Sequence, residues 1–519
     1  MNNKKKSIKK MLLSNYKGTT KNLEHIFLNI NSTNFDYKRN KGPKKIEKAK
    51  YWFFNSSSHL NYSSLFSLSG EIIVNTLNKH GETCISLLCA GGPGFCQSGV
   101  SINNFDNMMP CLACYSFNKR KEEVFIEFKH NDSNIQKKTE IQNLQEILNP
   151  SLNWILRGGK DSKLAPNLRK KMTAASHLWI NFLNTIDKEL LPENIILFNG
   201  VSFPECVIKD FMEKNNINVI TYESAYAENS IYLSNSSATD YEFSFDNNKK
   251  LNHDERNELY DYFKKRTTGD FTRSGVKFWN NVNPINNDLK LKINKFDKNI
   301  AIFLNVPFDT SQVKASYLFE DMYDWIDSLI EFASENKYVH FIFRSHPDEV
   351  RKDKEIFSET SVYINNKSKN CNNISIIAAN EMDNSYNLID SSDLVLTYNS
   401  TIGLEAALME KNVISAGYSH ISRLNYFKLF QDKLSYFDSI TKALKSNGFN
   451  GESSKNQIES YFYQMVFNSS IDFTGIIQKE NNGNFNIYKH KVLDKDVVRE
   501  SILLDLEKKI IGEFKMLQE

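Results

Sequence analysis

Long hydrophobic runs are missing from this chain. No apolar stretch reaches the roughly 18 residues that a membrane-spanning helix needs. The amino-terminal MNNKKKSIKKMLLSNYKGTTK is basic, and its apolar patch is only Met11 to Leu13. A secretory leader needs a longer apolar segment and a small-residue cleavage site. Residues 1–48 are therefore expected to form a polar basic tail, with attraction to an anionic membrane surface as the sharper reading. An excess of one charge is missing too: 65 Lys and Arg stand against 62 Asp and Glu, a net charge of +3. That balance argues against a nucleic-acid partner, which needs a concentrated basic face. Proline is scarce and Asn and Lys are abundant, a bias from which no function follows. The seven cysteines are an odd number, which without a leader suits a reducing compartment and a cytoplasmic location. Several chemistries lack their motifs: there is no GxSxG, GxxxxGK[ST] or HExxH, and Gly91-Gly92-Pro93-Gly94 lacks the spacing of a dinucleotide fingerprint.

What is there is an alternation of strands and helices. A content of 40% hydrophobic and 24% charged residues reads as soluble and globular, and 519 residues suit two domains plus extensions. AKYWFFNSS (49–57), a helix near Leu65 to His80 and ETCISLLCAGG (82–92) make a first βαβ unit. A helical insertion is expected near 140–190, followed by strand 193–200, helix 204–216 and strand 217–224. A polar, irregular stretch over 240–297 marks the interdomain connection. Strands then follow at 298–309, 338–349, 373–379, 394–400 and 412–417, with helices at 315–336, 385–393 and 401–411. The helix at 315–336 carries one apolar stripe through Leu318, Met322, Trp325, Leu329 and Phe332. Another stripe, Val498, Ile502, Leu506, Ile510 and Phe514, predicts an amphipathic helix over 497–514 that packs on the body. The fold class is α/β. The expected division is a tail at 1–48, one Rossmann-like domain at 49–290, a second at 291–480 and an extension at 481–519.

In parallel α/β sheets ligands lie beyond the carboxyl ends of the strands, so the residues just after each strand are the candidates. Arg344-Ser345-His346-Pro347 places a guanidinium and an imidazole where phosphate oxygens would suit them, although the same residues fit a plain surface turn. At Tyr398-Asn399-Ser400-Thr401-Ile402-Gly403-Leu404-Glu405 a strand passes into a helix through good capping residues. Free N–H groups there can hold phosphate, Gly403 can admit a ligand and Glu405 can accept ribose hydroxyls; ordinary capping is the plainer reading. These two turns are expected to follow neighbouring strands and to converge on one phosphate. Asn305 and Asp309 follow another strand, and Asn199-Gly200 and Glu223 follow two strands of the first half. A carboxylate at Glu223 can take a proton from an acceptor hydroxyl, with Asp309 in reserve; a loop carboxylate with hydrogen bonds is the alternative. Cys89, Cys96, Cys111 and Cys114 include a CxxC pair, but their irregular spacing speaks for free thiols and no bound zinc.

Taken in order, these strings resemble the capsule polysaccharide biosynthesis family, which includes the Kdo transferases of capsule export systems. The matching features are Asn305 to Asp309, then Phe319, Met322 and Trp325, then Arg344-x-His346-Pro347-x-Glu349. Ser385-Tyr386-x-Leu388-Ile389, Tyr398 to Ala406 and a Gly417 to His420 turn follow. The cysteine-rich loop, Phe198 to Gly200 and Tyr222 to Ser224 match more loosely, and the sequence departs from the best-known members around 95–115. The resemblance implies two facing Rossmann domains of the GT-B type. It implies a nucleotide-sugar donor, CMP-linked and Kdo-like as the first guess, held by the second domain through Asn305, Arg344, His346, Tyr398, Ser400, Thr401, Gly403 and Glu405. A glycan or glycolipid acceptor would lie against Asn199 and Gly200, with Glu223, Asp309 and His346 at the chemistry. No obligatory metal or cofactor is implied, and the place of action is the cytoplasm or the inner face of the membrane. A polyol-phosphate transferase of the teichoic-acid type, a nucleotide-sugar epimerase and a non-catalytic assembly partner are the competing readings.

Overall fold

The computed structural model describes residues 48–56, 64–91, 93–97, 114, 125–129, 141–158, 163–270, 283–350, 358–446, 452–479, 485–487 and 497–518. The basic tail and most of the cysteine-rich loop, Cys111 included, lie outside the described residues.

The first sheet has seven strands. They are β1 (Tyr51–Phe54), β2 (Cys84–Ala90), β3 (Phe125–Lys129), β4 (Asn194–Phe198), β5 (Asn218–Ser224), β6 (Ser230–Ser234) and, from far along the chain, β12 (Ile471–Asp472). The order is β12-β6-β5-β4-β1-β2-β3. β3 to β5 pair in parallel, while β6 is antiparallel to both β5 and β12. β1 reads YWFF and is buried on both sides, so successive aromatic rings enter opposite cores. Trp52 and Phe54 pack with α2 (Leu144–Ile155), α3 (Ala165–Leu183) and α4 (Glu205–Lys214). Tyr51 and Phe53 pack with α1 (Leu65–Lys79) and α13 (Val497–Met516).

The second sheet is wholly parallel, in the order β11-β10-β7-β8-β9. Its strands are β7 (Lys298–Phe303), β8 (Val339–Arg344), β9 (Ile374–Ile377), β10 (Leu394–Thr397) and β11 (Asn412–Ser415). One face carries α7 (Met322–Glu335), α8 (Thr360–Lys367) and α11 (Lys433–Lys445). The other carries α5 (His253–Thr267), α6 (Asn287–Ile293), α9 (Ser385–Asp390), α10 (Ile402–Leu408) and α12 (Glu452–Tyr463). A hairpin of β13 (Ile477–Lys479) and β14 (Phe485–Ile487) follows β12. The architecture is α/β with two Rossmann-like sheets and a carboxyl-terminal helix.

Three differences from the sequence expectation bear on how the bodies are built. The stretch over 240–297 holds two helices, α5 and α6, and Phe243, Leu251, Leu259, Tyr262, Phe263, Ile285 and Leu289 all belong to the core of the second sheet. α5 is a polar helix started by Asn252, whose side chain accepts from Glu255 N while the Glu255 side chain accepts from Asn252 N. The second body therefore begins well before 291. The chain also returns to the first body: β12 adds to its sheet and α13 covers it, so the residues from Ile471 onward complete the amino-terminal half. Finally, α7 starts at Met322, because the Asp321 carboxylate accepts from Tyr323 N and Asp324 N, and Leu318 precedes the helix.

Of the stripe expected in α13, Leu506, Ile510 and Phe514 are buried, and Phe514 meets the Tyr51 ring edge-on at 5.7 Å. Phe514→Ala is expected to cost about 3–5 kcal/mol, the usual loss for a buried aromatic. It should appear as a lower denaturation midpoint, while Leu504→Ala on the exposed side leaves the midpoint unchanged.

Candidate functional site

Strand register brings the candidates to two edges. In the first sheet Phe54 pairs with Leu197 and Phe198 with Tyr222, so Asn55 and Asn199 leave the sheet close to Glu223, which still pairs with Tyr232 of β6. In the second, Phe303 pairs with both Arg344 and Thr397, and Thr397 with Ser415. Asn305, His346, Ser400 and Gly417 thus follow strands that end together.

The first edge is built around Asn199. Asn199 and Gly200 have left-handed backbone (φ 35 and 79), and a Cβ on Gly200 would stand 2.9 Å from Thr221 Cγ2. The Asn199 Oδ1 accepts from the N–H groups of Val201 and Ser202, at 3.0 Å each. Its Nδ2 donates to Ser202 Oγ at 3.1 Å and reaches Glu223 Oε2 at 3.4 Å. The other Glu223 oxygen accepts from Ser224 N (2.9 Å) and Ser224 Oγ (3.3 Å). Loss of water around this half-buried carboxyl raises its pKa to about 7, opposed by those hydrogen bonds and assisted by the negative charge of Asp309. Glu223 and Asp309, from opposite bodies, therefore lie within electrostatic reach of each other.

Asp309 sits in a loop that the second sheet holds firmly. Its carboxylate accepts from Ser311 N (3.0 Å) and Ser311 Oγ (2.9 Å). Asn399, just past β10, grips the same loop: Gln312 Nε2 donates to its Oδ1 at 2.7 Å, and its Nδ2 donates to Ser311 O at 3.0 Å. The Asn399 N–H also approaches Asn305 Oδ1, at 3.4 Å.

Other predicted residues stand in different surroundings. β7 lies between β8 and β10, so the His346 and Ser400 turns do not follow neighbouring strands; the Asn305 loop separates them, two strand spacings or about 10 Å across. Arg344 is buried, and its guanidinium donates to Ala378 O (2.7 Å) and Glu381 O (2.8 Å), bracing the turn after β9. His346 is half-buried, and its Nδ1 accepts from Asp348 N at 3.1 Å, which in the neutral ring leaves the proton on Nε2. The Tyr398 ring packs against Trp325 inside the core and its hydroxyl meets Ser316 Oγ at 2.9 Å. Glu405 is buried in an ion pair with Arg266 (2.9 Å) and accepts from Tyr386 Oη at 2.7 Å. The room made by Gly403 is taken up by Thr397, Val413 and Ile421, so it serves packing of α10 on the sheet. Ser400 Oγ approaches Ile402 N at 3.4 Å, and Thr401 makes no side-chain cap.

Residues that sequence reasoning passed over line the space between the sheets. Tyr241 has φ 54, stacks on Tyr232 at 4.9 Å, and feels the charges of both Glu223 and Asp309, which add to burial in raising its pKa. Tyr226 and His420 join the two bodies at 3.3 Å. Tyr461 spends its proton on His420 O (2.9 Å), so it accepts from His420 Nδ1 (2.8 Å) and leaves Nε2 to accept from Tyr226. Burial, with Arg423 nearby, lowers the pKa of His420 to about 3, so this imidazole is a neutral pillar. The left-handed backbone of a bulky Tyr241 is invisible in sequence, and His420 stands out there only as the end of the Gly417 to His420 turn. Among the described residues no group of three His, Cys, Asp or Glu could hold a metal, and Cys89, Cys96 and Cys114 carry no disulfide.

The raised carboxyl gives a pH-dependent signature. A carboxyl whose folded pKa exceeds its unfolded value adds stability below the unfolded pKa and loses it as pH rises through the folded one. Wild-type protein should lose stability between pH 5 and about 8 more steeply than Glu223→Gln, because Gln has no proton to release. Denaturant midpoints measured across that range check this, and parallel curves would contradict it.

A search of curated proteins finds no matching sequence. The β-Kdo 2,4 transferase KpsC of Thermosulfurimonas dismutans is similar over 52% of this chain and 79% of its own, with 11% identity and a TM-score of 0.32. The UDP-GlcNAc 2-epimerase of Neisseria meningitidis, bound to UDP-GlcNAc, is similar over 81% and 96%, with 12% identity and a TM-score of 0.26. Sucrose-phosphate synthase of Thermosynechococcus elongatus is similar over 82% and 96%, with 9% identity and a TM-score of 0.28. Residues 214–422 match the family model described as capsule polysaccharide biosynthesis protein. That stretch carries Glu223, Asp309, His346 and Ser400.

Proposed function

We propose that the protein is a glycosyltransferase that moves a sugar from a nucleotide-activated donor to a surface glycan or glycolipid acceptor. The observation that carries this reading is a carboxyl at the edge of the first sheet, Glu223, that burial raises to about 7 and on which the charge of Asp309 from the second body acts. A base poised near the working pH is what deprotonation of a hydroxyl needs. The donor lies along the carboxyl edge of the second sheet, where the Nε2–H of His346 meets the phosphate and the Ser400–Thr401 turn, two strand spacings or about 10 Å away, meets another part of the donor. Arg344 braces the neighbouring turn after β9, Glu405 anchors α10 through Arg266, and Asn305 and Asn399 shape the floor of the edge. The acceptor lies against Asn199 and Gly200.

In an inverting transfer Glu223 takes the proton from the acceptor hydroxyl. The freed oxygen attacks the anomeric carbon, and the bond to the phosphate oxygen breaks with its electron pair leaving on phosphate. Asp309 stands on the donor side, where its charge favours the cationic character that develops on the sugar. The donor we favour is CMP-linked and Kdo-like, after the family, and the transfer needs no resident metal. The work is done in the cytoplasm, with the basic tail drawing the protein to the inner face of the membrane.

Thermal shift against a series of nucleotides and nucleotide sugars tests the donor class, and turnover that requires both donor and acceptor separates transfer from epimerisation. His346→Ala should weaken nucleotide binding roughly tenfold to a hundredfold, the worth of one charge-assisted contact, with the fold intact. Unchanged binding would remove His346 from the site. Glu223→Gln should lower turnover by about 10²–10⁴-fold with donor binding unchanged. In the wild type kcat/KM should rise with pH through about 7, because only the ionised form is a base; full activity in Glu223→Gln would exclude it from the mechanism.

A further inference from the structure

One helix touches both turns on which the proposed chemistry rests. α2 lies on the first body, and its Ser151 Oγ donates to Val201 O at 3.0 Å, in the turn that begins with Asn199. At its carboxyl end the chain reverses through left-handed Arg157 and Gly158 (φ 52 and 83). Asn153, in the last turn of the helix, and Arg157, in the reversal, both reach the second body. Asn153 Nδ2 donates to Pro307 O at 3.3 Å. The Arg157 guanidinium stands 4.1 Å from the Trp154 ring centre and 5.1 Å from that of Phe308, a planar cation between two aromatic faces. Phe308 is buried, and the next residue is Asp309. On the other side of the same loop Lys314 pairs with Asp240 at 2.6 Å.

We infer that Asn153 and Arg157 are positioning residues: they fasten the Pro307–Phe308 turn to the first body and thereby set how Asp309 stands against Glu223. Resting on the proposed function, this gives the inserted helices over 144–183 a task beyond filling the core. The second sheet alone holds the loop through Asn399, which leaves its distance from the first body to be set by whatever bridges the bodies. α2 is fixed to the Glu223 side through Ser151 and Val201, so it relates the two turns through one rigid element.

The test separates the contact from the chemistry. Arg157→Met keeps the apolar stem and removes the planar charge; Asn153→Ala is the second variant, should the first fail to fold. Hydrogen exchange across 304–316 should speed up in either variant, while 339–346 in the β8 strand and turn stays as in wild type. Turnover with the donor found by thermal shift should fall roughly tenfold to a hundredfold with little change in donor KM, the expected cost of a displacement near 1 Å. The same substitution added to Asp309→Asn should lower turnover no further. Unchanged exchange across 304–316 would overturn the inference, and so would a full additive loss on top of Asp309→Asn. A fully active Asp309→Asn points instead to failure of the proposed chemistry, and the exchange result then decides the contact by itself.

Discussion

The organisation of the cleft depends on how the chain between β7 and α7 is held. Asn399 fastens this loop to the second sheet with both ends of its amide, and Asn153, Arg157 and Asp240 fasten it to the first body. A loop tied on both sides can present a carboxylate at a defined place without burying it fully. That matters for Asp309, whose charge acts on Glu223 across the junction. Burial raises the Glu223 carboxyl to about 7, and the nearby Asp309 charge adds to that shift, so Glu223 exchanges its proton in the neutral range.

The junction also has a component that does not titrate. His420 and Tyr461 stack at 6.0 Å, and Tyr226 reaches His420 from the first body. With its imidazole neutral at all ordinary pH, this cluster acts through shape and hydrogen bonds. The bodies are further coupled by the return of the chain, since β12 and α13 complete the first body after the second has been built. Relative movement of the bodies must therefore bend the chain at two crossings.

Much of the fold was legible because strands buried on both faces leave continuous apolar runs: IILF in β4, VITY in β5, IAIF in β7 and HFIF in β8. β6 and β12 were not: β12 has two residues, and the pairing of Ile231 with Ile471 joins positions 240 residues apart. α5 was missed because its polar sequence buries only Leu259, Tyr262 and Phe263, although its capping box was there to read. At the site, strand ends nominated Glu223 and Asp309, but their proximity comes from docking of the bodies, which no local pattern encodes. Tyr398 was legible in principle: Leu394, Leu396 and Tyr398 alternate onto one face and enter one core. The partners of Arg344 and Glu405, two carbonyls and Arg266, come from segments that periodicity cannot bring together.

The central claim is that donor phosphate lies on the second sheet's edge and the reacting sugar faces Glu223 and Asp309. A crystal structure with a non-hydrolysable nucleotide sugar tests it most directly. The account predicts phosphate density beside His346, with the anomeric carbon turned toward the two carboxylates. Density at the edge of the first sheet, or a sugar directed away from Glu223, would contradict it.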